Sequence, residues 1–381
     1  MPVRILYLVS HPIQYQAPLL RRIAADPDLE LLVLFEDMST AASYVDPGFR
    51  QAVTWDIPLT DGYKHVTLSS VQDLQQHLTS ADVLWVHGWD SRVKRNAIRL
   101  AARVGVPVLM RGENTDAAMP DGGWLRGPLK RAYLRSIFRC CSGFLCVGSD
   151  NRQYYLNHGV EPVRLFSMPY AVDNEFFRQR AEQARQARPK LQKELGLQPG
   201  RPVVLFAGKM QSRKHPEALL AAFRELDTVS CGCPYLLFVG DGDQRARLQE
   251  QGRTMGDQVR FLGFRNQTEL PALYDLADLF VLASAREPWG LAINEAMNGA
   301  TAIIASTECG CAADLIDSNN GRVVVPGDTD ALRHALSVML VDRAGLRRAG
   351  QNSAQRISTW GLAQSHEGLR TALTRLTLLP A

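Results

Sequence analysis

Long apolar runs are missing from this sequence. No stretch of 18 apolar residues occurs in its 381 positions, which argues against a membrane-spanning helix. The first residues, MPVRILYLVSHPIQ, enter a β-like run at once. They lack the basic start, long apolar stretch and small-residue cleavage site of a signal peptide, so none is expected. Cysteines number seven, an odd count, and several sit in apolar context such as FRCCSGFLCVGS. That pattern reads as reduced cytosolic thiols rather than a disulfide framework. Cys231, Cys233, Cys309 and Cys311 form two C-x-C pairs, tighter than the usual C-x2-C and with no histidine close in sequence, so zinc is not expected. No G-x-G-x-x-G follows any strand-like run and there is no P-loop, which argues against an NAD dehydrogenase and a P-loop NTPase. Zinc-finger and stacked-aromatic RNA motifs are absent too. A net charge of +4 favours anionic ligands but is too small to imply nucleic-acid binding.

What is present is an ordinary globular composition, 46% hydrophobic and 22% charged, in a chain long enough for two domains. Short apolar runs alternate with helical patterns. VRILYLVS is followed by the amphipathic APLLRRIAA. LELLVLF, ADVLWVHG, VPVLMRG and GFLCVGS come next, with helical segments at 91–104 and 125–138. A second series runs through RPVVLFAGK, PYLLFVGDG, VRFLGF, LFVLAS and TAIIAS. The β-α-β alternation predicts an α/β protein of two doubly wound, Rossmann-like parallel-sheet domains. Between the series lies RQRAEQARQARPKLQKELGLQPG, charged and without a strand signal. The expected division is 1–175, a linker at 176–200, and 201–355, with a closing helix near 356–381 returning to the first domain. Two such domains leave a cleft faced by strand carboxyl ends, where ligands bind.

The stretch REPWGLAINEAM, residues 286–297, places Glu287 just before a helix and Glu295 inside it. Pro288 and Gly290 interrupt regular structure. The first N–H groups of the helix, near Gly290 and Leu291, would attract a phosphate. A carboxylate at Glu295 accepts two hydrogen bonds at once, which suits the vicinal hydroxyls of a ribose. Glu287 would repel a phosphate, so its expected target is a neutral polyol such as a sugar. Each glutamate alone also reads as a solvated surface group. Lys209, Arg213 and Lys214 crowd the loop after RPVVLFA. Cations there, opposite a helix N-terminus, would clamp a diphosphate, although Arg213 reads better as part of a basic surface loop.

These segments together resemble the nucleotide-sugar glycosyltransferases of family 4, which have the two-domain GT-B fold. That family's signature is a glutamate, then phenylalanine-glycine-leucine, then a second glutamate eight positions after the first. Here it is EPWGLAINEAM, with Trp289 in place of phenylalanine. The family's GRL…KG element appears as GKMQSRKH, in which Lys209 replaces the arginine, Lys214 matches the lysine and His215 replaces the glycine. VGDGDQ, VRFLGF, LYDLADLFVLAS and NNGRVVVPGDTDAL follow in the family's order and spacing. VGSDNRQYYLNHG and MPYAVDNEFF resemble its segment before the linker. The first series departs further. SHPIQYQAP stands where members often carry a glycine-rich loop, and Arg111 or Glu113 stands near their usual histidine.

The resemblance implies a retaining hexosyltransferase of bacterial polysaccharide or glycoconjugate synthesis. Its co-substrate would be a UDP- or GDP-sugar, and its acceptor a glycan, lipid-linked or small-molecule hydroxyl. It assigns reaction roles to Glu287, Lys214, Lys209, Glu113 and His11. Glu295, Gly290, Leu291, Trp289, Gly208, Lys209, Lys214 and Arg265 would bind the donor. No metal is expected, since lysines and a helix start replace it, and DGD at 241–243 reads as a loop rather than a metal motif. His87 and Trp89, ending another strand beside His11, read equally as structural or reaction-site residues. The basic GWLRGPLKRAYLRSIF helix could touch anionic lipid at the inner membrane face, though packing on the sheet is the preferred reading. Open alternatives are a sugar-nucleotide epimerase or phosphorylase of the same fold, and a non-catalytic sugar-nucleotide sensor.

Overall fold

The computed structural model describes residues 1–46, 48–119 and 126–380. They divide into two compact units. Unit 1 contains Met1–Tyr44, Ile57–Asp173 and residues 360–380; unit 2 contains Val45–Asp56 and Asn174–Thr359. The strands of the first half are β1 (Val3–Val9), β2 (Leu29–Phe35), β3 (Tyr44–Asp46), β4 (Gln51–Val53), β5 (Lys64–Thr67), β6 (Val83–His87), β7 (Val108–Arg111), β8 (Gly143–Cys146) and β9 (Leu165–Ser167). Unit 1 builds a seven-stranded sheet in the order β5-β2-β1-β6-β7-β8-β9, and β3 pairs with β4 separately.

The apolar runs are continuous because both faces of this sheet are covered. Along β1, Ile5, Tyr7 and Val9 pack with Leu19, Leu20 and Ile23 of the helix Ala17–Ala24 and with Leu369, Ala372 and Leu373 of the helix Leu362–Arg375. Leu6 and Leu8, the alternate residues, pack on the other side with Ala97 and Ile98 of the helix Arg92–Val104 and with Leu134 and Ile137. The last helix lies so close to the sheet that a Cβ at Gly368 would stand 1.9 Å from the Ser167 carbonyl oxygen. Only glycine allows that approach. Among the described residues no helix is long and apolar enough to cross a membrane.

Unit 2 carries β10 (Val203–Ala207), β11 (Tyr235–Val239), β12 (Val259–Gly263), β13 (Leu279–Leu282), β14 (Ala302–Ser306) and β15 (Gly321–Val324). Its sheet order is β12-β11-β10-β13-β14-β15, with the pairings parallel. Counted within the unit this is 3-2-1-4-5-6, the order of nucleotide-binding sheets. Successive crossovers run in opposite directions from the first strand, so a crevice opens at the carboxyl ends of β10 and β13. The equivalent point in unit 1 lies at the ends of β1 and β6.

Residues 174–194, within and before the charged stretch read as a linker, form a helix of unit 2. Only Phe177 and Ala181 of it are buried, so no apolar stripe betrays it in the sequence. Arg185 reaches Asp275 at 3.1 Å, and Arg188 donates to the Leu276 carbonyl at 2.8 Å.

Candidate active site

In unit 2 the expected site residues gather at the switch point. The chain leaves β10 through Gly208, whose N–H bonds the Val239 carbonyl at 3.0 Å. The loop after β11 crosses it closely: a Cβ at Gly240 would lie 2.0 Å from the Gly208 oxygen, and Gly240 has φ +120°. Asp241 and Asp243 sit in that loop. Asp241 pairs with Arg245 at 2.5 Å, and among the described residues no group of three or more His, Cys, Asp or Glu could hold a metal. Cys231, Cys233, Cys309 and Cys311 are free thiols.

Lys214 closes the short turn Ser212–Lys214 ahead of the helix Pro216–Arg224. His215 adopts φ +48° there, a left-handed conformation that ordinarily favours glycine. This turn aims Lys214 at Glu287. Lys214 Nζ donates to Glu287 Oε2 at 2.7 Å, with the two side chains 13% and 11% exposed. Arg213 donates to the same oxygen at 3.3 Å. Arg213 is exposed on this loop, as the surface reading has it, and its guanidinium also reaches the carboxylate. Oε1 of Glu287 makes no hydrogen bond among the described residues.

The backbone of Glu287 is equally fixed. Its N–H bonds the Glu308 carbonyl at 3.1 Å, and its carbonyl accepts from Gly310 N–H at 3.0 Å. Arg286, just before it, is also left-handed, with φ +52°. Such strain persists only where the surroundings hold it. The Trp289 ring is core rather than ligand surface, at 2% exposure, with its indole N–H on Asn294 Oδ1 at 2.9 Å. As a donor-binding residue it can offer only its backbone. Gly290, at φ +102°, starts the helix Leu291–Asn298 with no side-chain cap, so the Leu291 end presents backbone N–H groups.

Glu295, one turn into that helix, accepts from the Tyr274 hydroxyl at 2.7 Å. Burial pushes its carboxyl up to about 7, and the tyrosine hydrogen bond only partly offsets this. A carboxyl raised in the folded state holds its proton where the unfolded chain has already released it. Its contribution to stability is complete below pH about 4.5 and is lost as pH rises through about 7. Glu295→Gln keeps an acceptor for Tyr274 and removes the titration. It is expected to raise stability at pH 8 by about 2 kcal/mol, less than the full ~1.4 kcal/mol per unit because the side chain is partly solvated. Thermal melts from pH 4 to 8 check this; a variant whose melting temperature falls in parallel with the wild type contradicts it.

Two further donor-site expectations fall differently. Lys209 Nζ pairs with Asp46 at 2.9 Å and lies 5.0 Å from the centre of the Phe49 ring. Arg265, after β12, is half-buried and pairs with Glu269 at 3.1 Å.

In unit 1, Glu113 follows β7 and accepts from the Tyr170 hydroxyl. Burial pushes its carboxyl up, but His87, Tyr170 and Arg111 together overcome that and hold it below the ordinary range. His87, ending β6, stands 3.6 Å from Glu113 through Nε2. Its Nδ1 faces the Tyr7 hydroxyl at 3.2 Å and Gln16 Nε2 at 3.3 Å. A donor at Nδ1 assigns the proton to Nε2, the nitrogen that faces Glu113; burial lowers the imidazole pKa, and Glu113 partly offsets that. Arg111 is buried, donating to the Met168 and Pro169 carbonyls at 3.3 and 3.2 Å. His11 bonds Ser10 through Nδ1 at 2.9 Å. No hydrogen bond or ion pair among the described residues joins it to Glu113. Tyr7, Gln16 and Tyr170 were not singled out by the sequence: Tyr7 lies in an apolar strand, and although Gln16 falls in SHPIQYQAP and Tyr170 in MPYAVDNEFF, neither stretch marks which of its residues meets His87 or Glu113. Trp124 of the basic segment lies outside the described residues. The helix Arg126–Phe138 that follows buries Leu134, Ile137 and Phe138 and exposes Leu129 and Tyr133.

Comparison with known proteins bears on the fold and on the class of the second unit. The chain has the GT-B fold: the Anabaena protein HepE, solved with UDP and glucose, matches 98% of this chain and 99% of its own at a TM-score of 0.71, with 17% identity. Residues 187–356 match the family described as Glycosyl transferases group 1, a stretch that lies within unit 2. The D-inositol 3-phosphate glycosyltransferase of Nocardia farcinica is 29% identical over 228 residues, 58% of this chain and 49% of that protein. That of Salinispora arenicola is 32% identical over 213 residues, 52% of this chain and 46% of that protein. The chain thus spans about half the length of these curated relatives.

Proposed function

We propose that this protein is a retaining glycosyltransferase of family 4, moving a sugar from a UDP- or GDP-sugar to a hydroxyl of a glycan, lipid-linked or small-molecule acceptor. The observation that carries the reading is the buried Lys214–Glu287 pair beside an uncapped helix start, at the switch point of a nucleotide-type sheet. Charge grows on the diphosphate as the glycosidic bond breaks. Lys214, Lys209 and the N–H groups at Gly290 and Leu291 are assigned to it, because cations and helix starts bind phosphate. Gly208 keeps the strand end open to close backbone approach. Glu295 takes the ribose, Arg265 the nucleotide end, and the unbonded Oε1 of Glu287 the sugar hydroxyls. Glu113 and His11 are assigned to the acceptor side. Unit 1 would serve the acceptor and unit 2 the donor. HepE, with its UDP and glucose, supports this choice of donor. The protein would act in the cytoplasm, with no contact to nucleic acid.

The donor set needs no metal in this reading. UDP or GDP in EDTA is expected to raise the melting temperature, since a ligand at one hundred times its dissociation constant adds about 2.7 kcal/mol. A shift seen only with Mg2+ or Mn2+ removes the metal-free part; no shift with any nucleotide removes the donor. Product analysis then tests the reaction. Turnover of the sugar nucleotide that needs neither acceptor nor phosphate would make the protein an epimerase, and dependence on free phosphate a phosphorylase. An inverted anomer would exclude retention.

A further inference from the structure

The hairpin between β2 and β5 in sequence is not part of unit 1. Residues 45–56 belong to unit 2 and lie on the loops after β10 and β12. Asp46 is 6% exposed. Both its oxygens meet Lys209 Nζ, at 2.9 and 3.0 Å, and its Oδ1 also accepts from the N–H groups of Gly48 and Phe49 at 2.7 and 3.0 Å. Gly48 lies flat against the lysine stem: a Cβ there would stand 2.4 Å from Lys209 Cδ. Phe49 packs edge-on against Phe264 at 5.0 Å, and Trp55 approaches the same ring at 6.5 Å. Beyond it, Asn266 donates to the Thr54 carbonyl at 2.6 Å, and Thr268 N–H to Asp56 at 3.1 Å.

Lys209 is thus enclosed on its stem and neutralised at its head by one short segment. The outer fastenings, at Asn266 and Thr268, are solvent-exposed, where such bonds are readily exchanged for water. The buried anchor is the carboxylate on Lys209. Building on the donor reading above, we infer that Asp46 and residues 48–56 act as a strap that occupies the donor site from within the chain, with the Asp46 carboxylate standing in for a phosphate on Lys209, and that a nucleoside diphosphate releases the strap by taking that lysine. A diphosphate carries more charge and more acceptor oxygens than one carboxylate, so it wins the exchange at saturating concentration. The cost appears as weakened apparent affinity, because only the fraction of molecules with the strap open binds.

The test uses the full chain with UDP and with GDP, in the wild type, Asp46→Asn and Gly48→Ala. Asp46→Asn removes the competing charge. Gly48→Ala keeps the charge but pushes its Cβ into the lysine stem. Both are expected to bind the preferred nucleotide about tenfold more tightly, the gain from opening a site that is mostly closed. Amide hydrogen exchange over 48–56 should be faster in both variants without ligand. In the wild type it should speed up when nucleotide is added, while 208–215 slows. Weaker or unchanged binding in Asp46→Asn overturns the inference, because Asp46 would then position Lys209 or be neutral to it. Slower exchange over 48–56 with nucleotide overturns it as well, since the strap would be closing on the donor. If neither nucleotide binds the wild type or either variant, the donor reading fails and the competition with it. Ligand-free exchange still reports whether Asp46 fastens the strap, so the two failures are distinguishable.

Discussion

Lys214→Ala is expected to lower turnover by roughly 30- to 1,000-fold, the effect of removing one preorganised group worth ~2–4 kcal/mol in a transition state. Its effect on the Michaelis constant should be much smaller. The reasoning is differential: a ground-state sugar nucleotide already carries its diphosphate charge, but additional charge gathers on the leaving group as the sugar departs. Lys214 is well placed for such a role because its turn and its partner hold it still. Nζ is tied to Glu287 at 2.7 Å, so little reorganisation is needed during the reaction. The same pairing gives the variant a structural cost. Glu287 would keep only Arg213, at 3.3 Å, and an under-compensated buried carboxylate destabilises by a few kcal/mol. Melting temperature must therefore be measured beside kinetics. A folded variant whose Michaelis constant rises while turnover is unchanged would reduce Lys214 to a binding residue.

The second large effect concerns the two glutamates. Glu295→Gln should weaken the bare nucleotide and the intact sugar nucleotide equally, because both contain ribose. Glu287→Gln should weaken the sugar form alone. A hydrogen bond to a charged group contributes ~1.5–3 kcal/mol, so each loss is about 10- to 100-fold. The geometry sharpens the Glu287 arm. Neutralising its carboxylate leaves Lys214 and Arg213 with uncompensated charge, so the bare nucleoside diphosphate should bind as well as before or better. The Glu295 arm acquires a pH signature. Its carboxyl is raised to about 7 by burial, and the ionised form is the better acceptor for two hydroxyls. Nucleotide affinity in the wild type should rise as pH passes upward through 7, and Glu295→Gln should abolish that rise. Calorimetry with nucleotide and sugar nucleotide between pH 6 and 8 decides both arms. Equal weakening of the bare nucleotide by the two variants would dissolve the division of labour.

Much of this was legible in the chain itself. Runs such as RPVVLFAGK and TAIIAS became central strands because a strand covered on both faces must be apolar throughout. The spacing of Glu287 and Glu295, and the lysines after β10, could be read because they depend on short stretches of local sequence. The strands that escaped notice were β3 and β4, which form a two-stranded sheet of their own, and β5, β9 and β15, which lie at sheet edges, where one side lacks a neighbouring strand and KHVT, LFS or GRVV suffices. The helix 174–194 escaped because it buries too little to show a period. Tertiary structure alone decided the rest. Trp289 went into the core, which its loop context did not announce. Arg213 turned toward Glu287, and His87 met Glu113 across neighbouring strands 26 residues apart in sequence. Asp46 met Lys209 across 163 residues. Such pairings leave no local signature, since a carboxylate and an ammonium are selected for each other by where two distant loops are brought, and the sheet order that brings them is set by packing of the whole unit rather than by either loop.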